Sequence, residues 1–93
     1  MRHEFLIHNP KDNVGVAVVD IKAGERVAGV SLEDGSSVEV DAKNDIPLGH
    51  KVALASMDAG ASVIKYGVPI GKTTQAVSRG EHVHVHNLKS GRW

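Results

Sequence analysis

Ninety-three residues allow one small domain, near the lower end of the size at which a single core is self-sufficient. Cysteine is absent, which excludes disulfides and thiolate metal sites as supports for that domain. Lysine plus arginine balance aspartate plus glutamate at 11 each, which argues against a nucleic-acid module relying on general basicity.

The chain reads as a succession of short strands. His3 to His8 is a short apolar run expected to form the first strand, and Asn9-Pro10-Lys11-Asp12-Asn13 is a turn cluster. Val14 to Val19 is nearly continuous in apolar residues, the pattern of a central strand buried on both faces. Gly15 within it marks a bulge or a close backbone approach. A unit then recurs: Ala23-Gly24-Glu25-Arg26-Val27, Leu48-Gly49-His50-Lys51-Val52, Ala59-Gly60-Ala61-Ser62-Val63 and Arg79-Gly80-Glu81-His82-Val83. In each, glycine allows a tight turn and a strand then starts inward. The unequal intervals exclude a regular solenoid and favour a compact, folded-hairpin domain. Between the first two units, Glu33-Asp34-Gly35-Ser36 is expected to be a hairpin turn joining 27–32 to 37–40. Asp41 to Ile46 has room for one turn of helix, Pro47 sets the approach to Gly49, and Lys72 to Ser78 reads as a short helix or an irregular strand.

With 14 valines, 10 glycines and Phe5, Tyr66 and Trp93 as its aromatic residues, the chain is expected to be all-β. The expectation is one domain over 1–93, built of short strands and hairpins with at most one or two helical turns. No apolar run has signal-peptide or membrane-spanning length, so the expected location is the cytoplasm. Charge is uneven: residues 1–46 carry five Lys/Arg against nine Asp/Glu, and residues 47–93 carry six against two. The positive half suits a small anion or an acidic partner, although a scatter of solvated charges has the same composition.

That half holds Gly80-Glu81-His82-Val83-His84-Val85-His86-Asn87. In a β-strand His82, His84 and His86 would share one face and Val83 and Val85 the other. A row of neutral imidazoles is a ligand set for zinc, iron, nickel or copper. A half-buried strand whose polar positions are histidine would have the same pattern. Two further positions combine reactive side chains with glycine: His50 and Lys51 after Gly49, and Lys65 and Tyr66 before Gly67. Lysine and tyrosine bind carboxylates or hydroxyls, or transfer protons when their pKa is lowered; each of these residues would equally serve as an ordinary strand or core residue. Phosphate-binding glycine loops, nucleophile elbows and paired carboxylates placed for glycosidase work are absent.

Four linked stretches carry a resemblance: Ile46-Pro47-Leu48-Gly49-His50-Lys51-Val52-Ala53-Leu54, Val63-Ile64-Lys65-Tyr66-Gly67, Ile70-Gly71, and Gly80 to Asn87. In order and spacing, from about Ile7 onward, they resemble the N-terminal SAF (β-clip) domain of altronate and galactarate dehydratases. The resemblance implies a β-clip fold and a place beside a much larger catalytic domain. It also implies loss of water from a sugar acid with a divalent metal, iron(II) first and manganese or zinc otherwise. With nothing after Trp93, the expectation is a free-standing small subunit of an altronate/galactarate dehydratase-like lyase, inactive without its large subunit. The alternatives are a subunit similar to the alpha subunit of (2R)-sulfolactate sulfo-lyase, which eliminates sulfite, and a non-catalytic carbohydrate-binding or structural module. Carried over by position, His84 and His86 are the expected metal ligands, with His82 ranked behind them because it opens the strand. His50, Lys51, Lys65 and Tyr66 would form an anion-binding wall, and Asn87 would meet a substrate hydroxyl. The catalytic base is expected on the large subunit. Exposed strand edges leave room for self-association, and Trp93 is a candidate docking anchor.

Overall fold

The structure, a computed structural model, describes residues 3–90. Among the described residues, nine short strands form two sheets. They are β1 (Phe5–Ile7), β2 (Val14–Ala17), β3 (Arg26–Ser31), β4 (Ser37–Asp41), β5 (Lys51–Ala53), β6 (Ser62–Lys65), β7 (Val68–Thr73), β8 (His82–Val83) and β9 (Leu88–Ser90). A six-stranded sheet has the order β4-β3-β1-β2-β5-β8, and a three-stranded sheet the order β6-β7-β9. All neighbours are antiparallel except β1 and β3. Among the described residues there is no helix, and so none long and apolar enough to cross a membrane. The room left for a helical turn at 41–46 is taken by the end of β4 and an isolated bridge between Ile21 and Ile46. Lys72 and Thr73 continue β7, and Val77 bridges Met57.

The recurring glycine unit is one device used four times. Gly24, Gly49, Gly60 and Gly80 have φ of 89°, 87°, 82° and 90°, a left-handed conformation that L side chains adopt only at a cost. Each occupies the third position of a turn closed by a backbone bond: Glu25 N–H to Lys22 O, His50 to Pro47, Ala61 to Asp58 and Glu81 to Ser78, at 2.9–3.1 Å. That is the type II requirement. Each turn also grips one residue of a passing segment. The glycine N–H donates to the carbonyl of Ala42, Ala17, Thr73 or Ala53, and that residue's N–H donates to the carbonyl just after the glycine, all at 2.8–2.9 Å. All four gripped residues are buried and small, so the turn can lie directly on them.

Two apolar clusters fill the interior. One gathers Phe5, Ile7, Ala17, Ile21, Val27, Val40, Ala42, Ile46 and Val52. The other gathers Val14, Ala53, Met57, Val63, Val77 and Val83 between the two sheets. Central strand β2 therefore faces one cluster with Ala17 and the other with Val14, as its unbroken apolar run requires. Gly15 is the expected close approach: a Cβ there would lie 2.6 Å from the Phe5 ring, and one on Gly29 would collide with the same ring. Phe5, the largest fully buried side chain, sits in the notch these glycines leave.

Candidate functional site

The last two strands of the six-stranded sheet, β5 and the edge strand β8, carry the chemistry. Strand β5 pairs with β8 so that Lys51 faces Val83 and Val52 faces His82. His50, the last residue of its turn, therefore lies beside His82. The two rings meet at 2.8 Å between His50 Nδ1 and His82 Nε2.

The strand expected to run through His86 ends at Val83. Val83 is fully buried as expected, but Val85 is 81% exposed and does not face a core. Asn87 is the cause. Its Oδ1 accepts the His84 N–H at 2.9 Å and its Nδ2 donates to the His82 carbonyl at 2.8 Å, while its own N–H donates to the His84 carbonyl at 3.0 Å. A side chain thus takes over bonds that a neighbouring strand would make, and the chain turns back into β9. With Asn87 only 1% exposed and both ends of its carboxamide engaged by backbone, it shapes the site from beneath rather than reaching toward a substrate hydroxyl.

The turn folds His84 over His50, with ring centroids 3.9 Å apart and planes 18° from parallel. His50, His82 and His84 each offer a ring nitrogen within 4.8 Å of the others. A tetrahedral ion at about 2.0–2.1 Å from each ligand needs nitrogens about 3.3 Å apart, within reach of small ring rotations. Three imidazoles would leave one position open, the arrangement of a catalytic rather than a structural centre. His82 and His84 both titrate below the ordinary imidazole value. For His82 the cause is burial first, then the charges of His86, His50, His84 and Lys51; for His84 it is burial, then His50, Lys51 and His86. Both shifts favour the neutral form that ligates metals. The donor set therefore fits a divalent transition metal. His86 is exposed and stands at the rim, its ring 5.0 Å from that of His82 and tilted by 41°, outside the three-histidine cluster.

Lys51 is half-buried next to this cluster, and its ammonium titrates below the usual lysine value because of burial and the charge of Lys65. Lys65 ends β6 and leads into a two-residue hairpin turn, Tyr66-Gly67, with φ of 55° and 76°. This is the I′ geometry, for which Asn-Gly is the low-strain choice; a tyrosine there is strained by about 1–2 kcal/mol. Asp12, almost fully buried, holds the turn by accepting the N–H groups of Tyr66 at 3.1 Å, Gly67 at 2.8 Å and Asn9 at 3.2 Å. The Tyr66 ring, 59% exposed, leans on His8 at 4.3 Å between centroids, and the Lys65 ammonium lies 5.1 Å from its centre.

Of the expected site residues, the structure brings His50, His82 and His84 together, with Lys51 beside them, and places Lys65 and Tyr66 in a second group with His8. Sequence reading missed His50 as a partner of the other two imidazoles, and missed His8 and Asp12. The repeat itself held the signal for His50: it follows Gly49 as Glu81 follows Gly80, and the two following strands pair. A cleft of about 460 Å³ lies elsewhere, between Arg26, Lys43, Ser56 and Arg79. His50, His82 and His84 are each half-buried. Trp93 lies outside the described residues.

Comparison with known proteins shows the family. The chain is 40% identical to the alpha subunit of (2R)-sulfolactate sulfo-lyase from Chromohalobacter salexigens, over 100% of both chains. It is 50% identical to the subunit of the same name from Paracoccus pantotrophus over 69% of this chain and 96% of that one. It is 46% identical to altronate dehydratase from Bacillus subtilis over 92% of this chain but only 16% of that protein. The model of the altronate/galactarate dehydratase SAF domain matches residues 3–91, and the chain belongs to that family, whose full-length relatives are lyases and lyase subunits.

Proposed function

We propose that this chain is the small subunit of a lyase that eliminates a group β to the carboxylate of an anionic 2-hydroxy acid, of the (2R)-sulfolactate sulfo-lyase type. The observation that carries this reading is the end-to-end match to a sulfo-lyase alpha subunit, whereas altronate dehydratase is matched over 16% of its length. The preference expected from the linked motifs, a dehydratase subunit with the sulfo-lyase as alternative, is therefore reversed. The term alpha subunit implies a partner for those relatives, and this supports a larger catalytic partner here.

In such a reaction the proton on the hydroxyl-bearing carbon goes to a base. Its electron pair forms a carbon–carbon double bond, and the carbon–sulfur bond breaks with its pair leaving on sulfite. The enol then becomes a 2-oxo acid. A divalent metal, iron(II) first and manganese or zinc otherwise, would polarise the carboxylate and hydroxyl and so acidify that proton. His50, His82 and His84 would hold it. Lys51, kept among them, offers a cation to the substrate carboxylate in a partly desolvated place where ion pairing is strong. Asn87 fixes the spacing of His82 and His84. Among these side chains none is placed as the base, which is assigned to the partner.

Metal content and turnover test this together. Wild-type chain and a His50→Ala/His84→Ala variant would be titrated with Fe(II), Mn(II) and Zn(II), then assayed with the co-produced large subunit for sulfite release from (2R)-sulfolactate. The expected result is metal binding and sulfite release by wild type only. Release of water from altronate without release of sulfite would favour the dehydratase reading. Metal binding that survives in the variant would dismiss the triad.

A further inference from the structure

Strand edges carry the main-chain groups a sheet leaves over, and two edges of this domain are closed by asparagines. Along β8, the outward N–H of His82 donates to Asn44 Oδ1 at 3.0 Å and its carbonyl accepts Asn87 Nδ2 at 2.8 Å. Along β6, Asn13 donates its Nδ2 to the Ser62 carbonyl at 3.0 Å, accepts the Ile64 N–H at 2.8 Å, and donates its own N–H to the Ile64 carbonyl at 3.3 Å. Strand β4, the other edge of the six-stranded sheet, is treated differently. The residues flanking it turn their main-chain groups inward: the Ser36 carbonyl accepts the Ser31 N–H, and Ala42 bonds Gly24 and Glu25, all at 2.8 Å. The register between them is unbroken, so Val38 and Val40 also bond inward and Ser37, Glu39 and Asp41 point out. The Gly80 turn covers the Asp41 end, with the Lys43 N–H on the Gly80 carbonyl at 2.9 Å. Farther along, the Glu39 carbonyl takes the Arg79 guanidinium at 2.8 Å. The Ser37 N–H, the Ser37 carbonyl and the Glu39 N–H have no protein partner among the described residues.

We propose that the β4 edge docks an extended segment of the partner subunit as a further strand, with a carboxylate for Lys43 and Arg79 and an apolar side chain for a neighbouring cleft. This rests on the function proposed above for the identity of the partner. Strand addition draws affinity from main-chain bonds and specificity from pockets for alternate side chains. Here the pockets are two clefts along the edge, both lined by Arg79. The one of about 290 Å³ has an apolar wall of Ile7, Val38 and Leu54. In the other, Glu39 and Asp41 are both paired with Arg26, at 3.3 and 3.2 Å, whereas Lys43 and Arg79 meet no carboxylate among the described residues. The Glu39 carbonyl has a second lone pair for an incoming N–H, so Arg79 can stay in place. A second copy of this chain fits the edge poorly, because an antiparallel pair of β4 strands centred on Glu39 sets one Glu39 against the other. Gly80 is two residues from His82, so a segment seated on β4 brings the partner beside the strand that carries the histidines.

The test uses the full chain and the purified large subunit, with affinity by titration and amide hydrogen exchange as readouts. Glu39→Pro removes the outward N–H while sparing the inward bonds of the strand, and Arg79→Glu reverses the charge. Each variant is expected to keep its melting temperature within a few degrees and its Zn(II) binding, and to bind the large subunit about tenfold more weakly. In the wild-type complex the Ser37 and Glu39 amides should exchange more slowly than in the free chain. Should Glu39→Pro fail to fold, Arg79→Glu and the exchange rates decide. A complex in which both amides exchange as in the free chain, and which Arg79→Glu forms as tightly as wild type, would overturn the docking edge while leaving the proposed function standing. Protection of both amides in the chain alone, with a dimer in sedimentation, would give the edge to a second copy and overturn the partner segment. No complex and no sulfite release from (2R)-sulfolactate would overturn both.

Discussion

Replacing Asn87 by alanine would show whether the metal end is built by the turn beneath it. The substitution leaves the three imidazoles untouched but removes the acceptor for the His84 N–H at 2.9 Å and the donor to the His82 carbonyl at 2.8 Å. Each buried backbone group left without a partner costs about 1–3 kcal/mol. Water entering beside the exposed Val85 would recover part of that, so we expect a net loss of about 2–3 kcal/mol. For a chain of this size the melting temperature should fall by roughly 10–20 °C. Because His82 and His84 are held in position through those two bonds, Zn(II) affinity should fall roughly 10–100-fold as well, as it does when outer-shell partners of metal ligands are removed. Asn87→Asp keeps the acceptor but sets a second oxygen against the His82 carbonyl, and should behave as badly near neutral pH. The assays are thermal melts with chelator present and competition titration with a zinc-binding dye, the latter well below the variant's melting point. A large loss of stability with Zn(II) affinity within twofold of wild type would refute the reasoning: the turn would then hold the fold and not the site.

Three further outcomes follow from the same geometry. His82 and His84 have folded-state pKa values lowered by burial and neighbouring charge, whereas unfolded histidines titrate near about 6.5. The unfolded chain therefore takes up protons first as pH falls, so stability should be full above about 6.5 and decline from there toward the lowered values, a trend that His82→Gln/His84→Gln should flatten in melts across pH 5–8. Gly24→Ala should cost roughly 1–2 kcal/mol, because its Cβ meets only open space and φ alone opposes it. Gly80→Ala should cost roughly 3–5 kcal/mol, because its Cβ would also overlap the Asp41 carbonyl oxygen; equal urea midpoints for the two variants would count against the turn geometry. Lys51→Met should raise the melting temperature by a few degrees, by removing a half-buried ammonium near Lys65, and weaken (2R)-sulfolactate binding about tenfold. A destabilised variant with undiminished affinity would reverse the role given to Lys51.

What was legible in the sequence was what leaves a mark on residue type. A left-handed turn demands glycine, so the four turns could be read from Gly24, Gly49, Gly60 and Gly80; Gly15 signalled a bulge or close approach, but not that the Phe5 ring fills the space. A strand buried on both faces demands continuous apolar residues, and β2 has them. What was not legible depends on pairing at a distance. Alternating histidines and valines announce a strand through His86, but the Asn87 carboxamide makes the local bonds that end it at Val83, and no periodicity records that competition. His50 joins His82 and His84 only because β5 and β8 pair in one register. Tyr66 hides for the opposite reason: a tyrosine is the wrong residue for its turn, and only the Asp12 carboxylate, 54 positions away in the chain, makes the conformation tenable.

The four glycine turns share one main-chain frame that includes the carbonyl of the residue after each glycine, and in two of them that residue's side chain braces its own turn: Glu25 Oε1 accepts the Lys22 N–H and Glu81 Oε1 the Ser78 N–H, both at 2.6 Å. That residue is Glu25 in one turn, His50 in another, Ala61 in a third and Glu81 in the last. The shared frame accepts a carboxylate, an imidazole or a methyl at that place, and the carboxylate alone bonds back to its own turn. At His50 the main chain serves the frame while the ring is left to chemistry, which lets a domain of this size carry an imidazole on a turn it builds elsewhere without one.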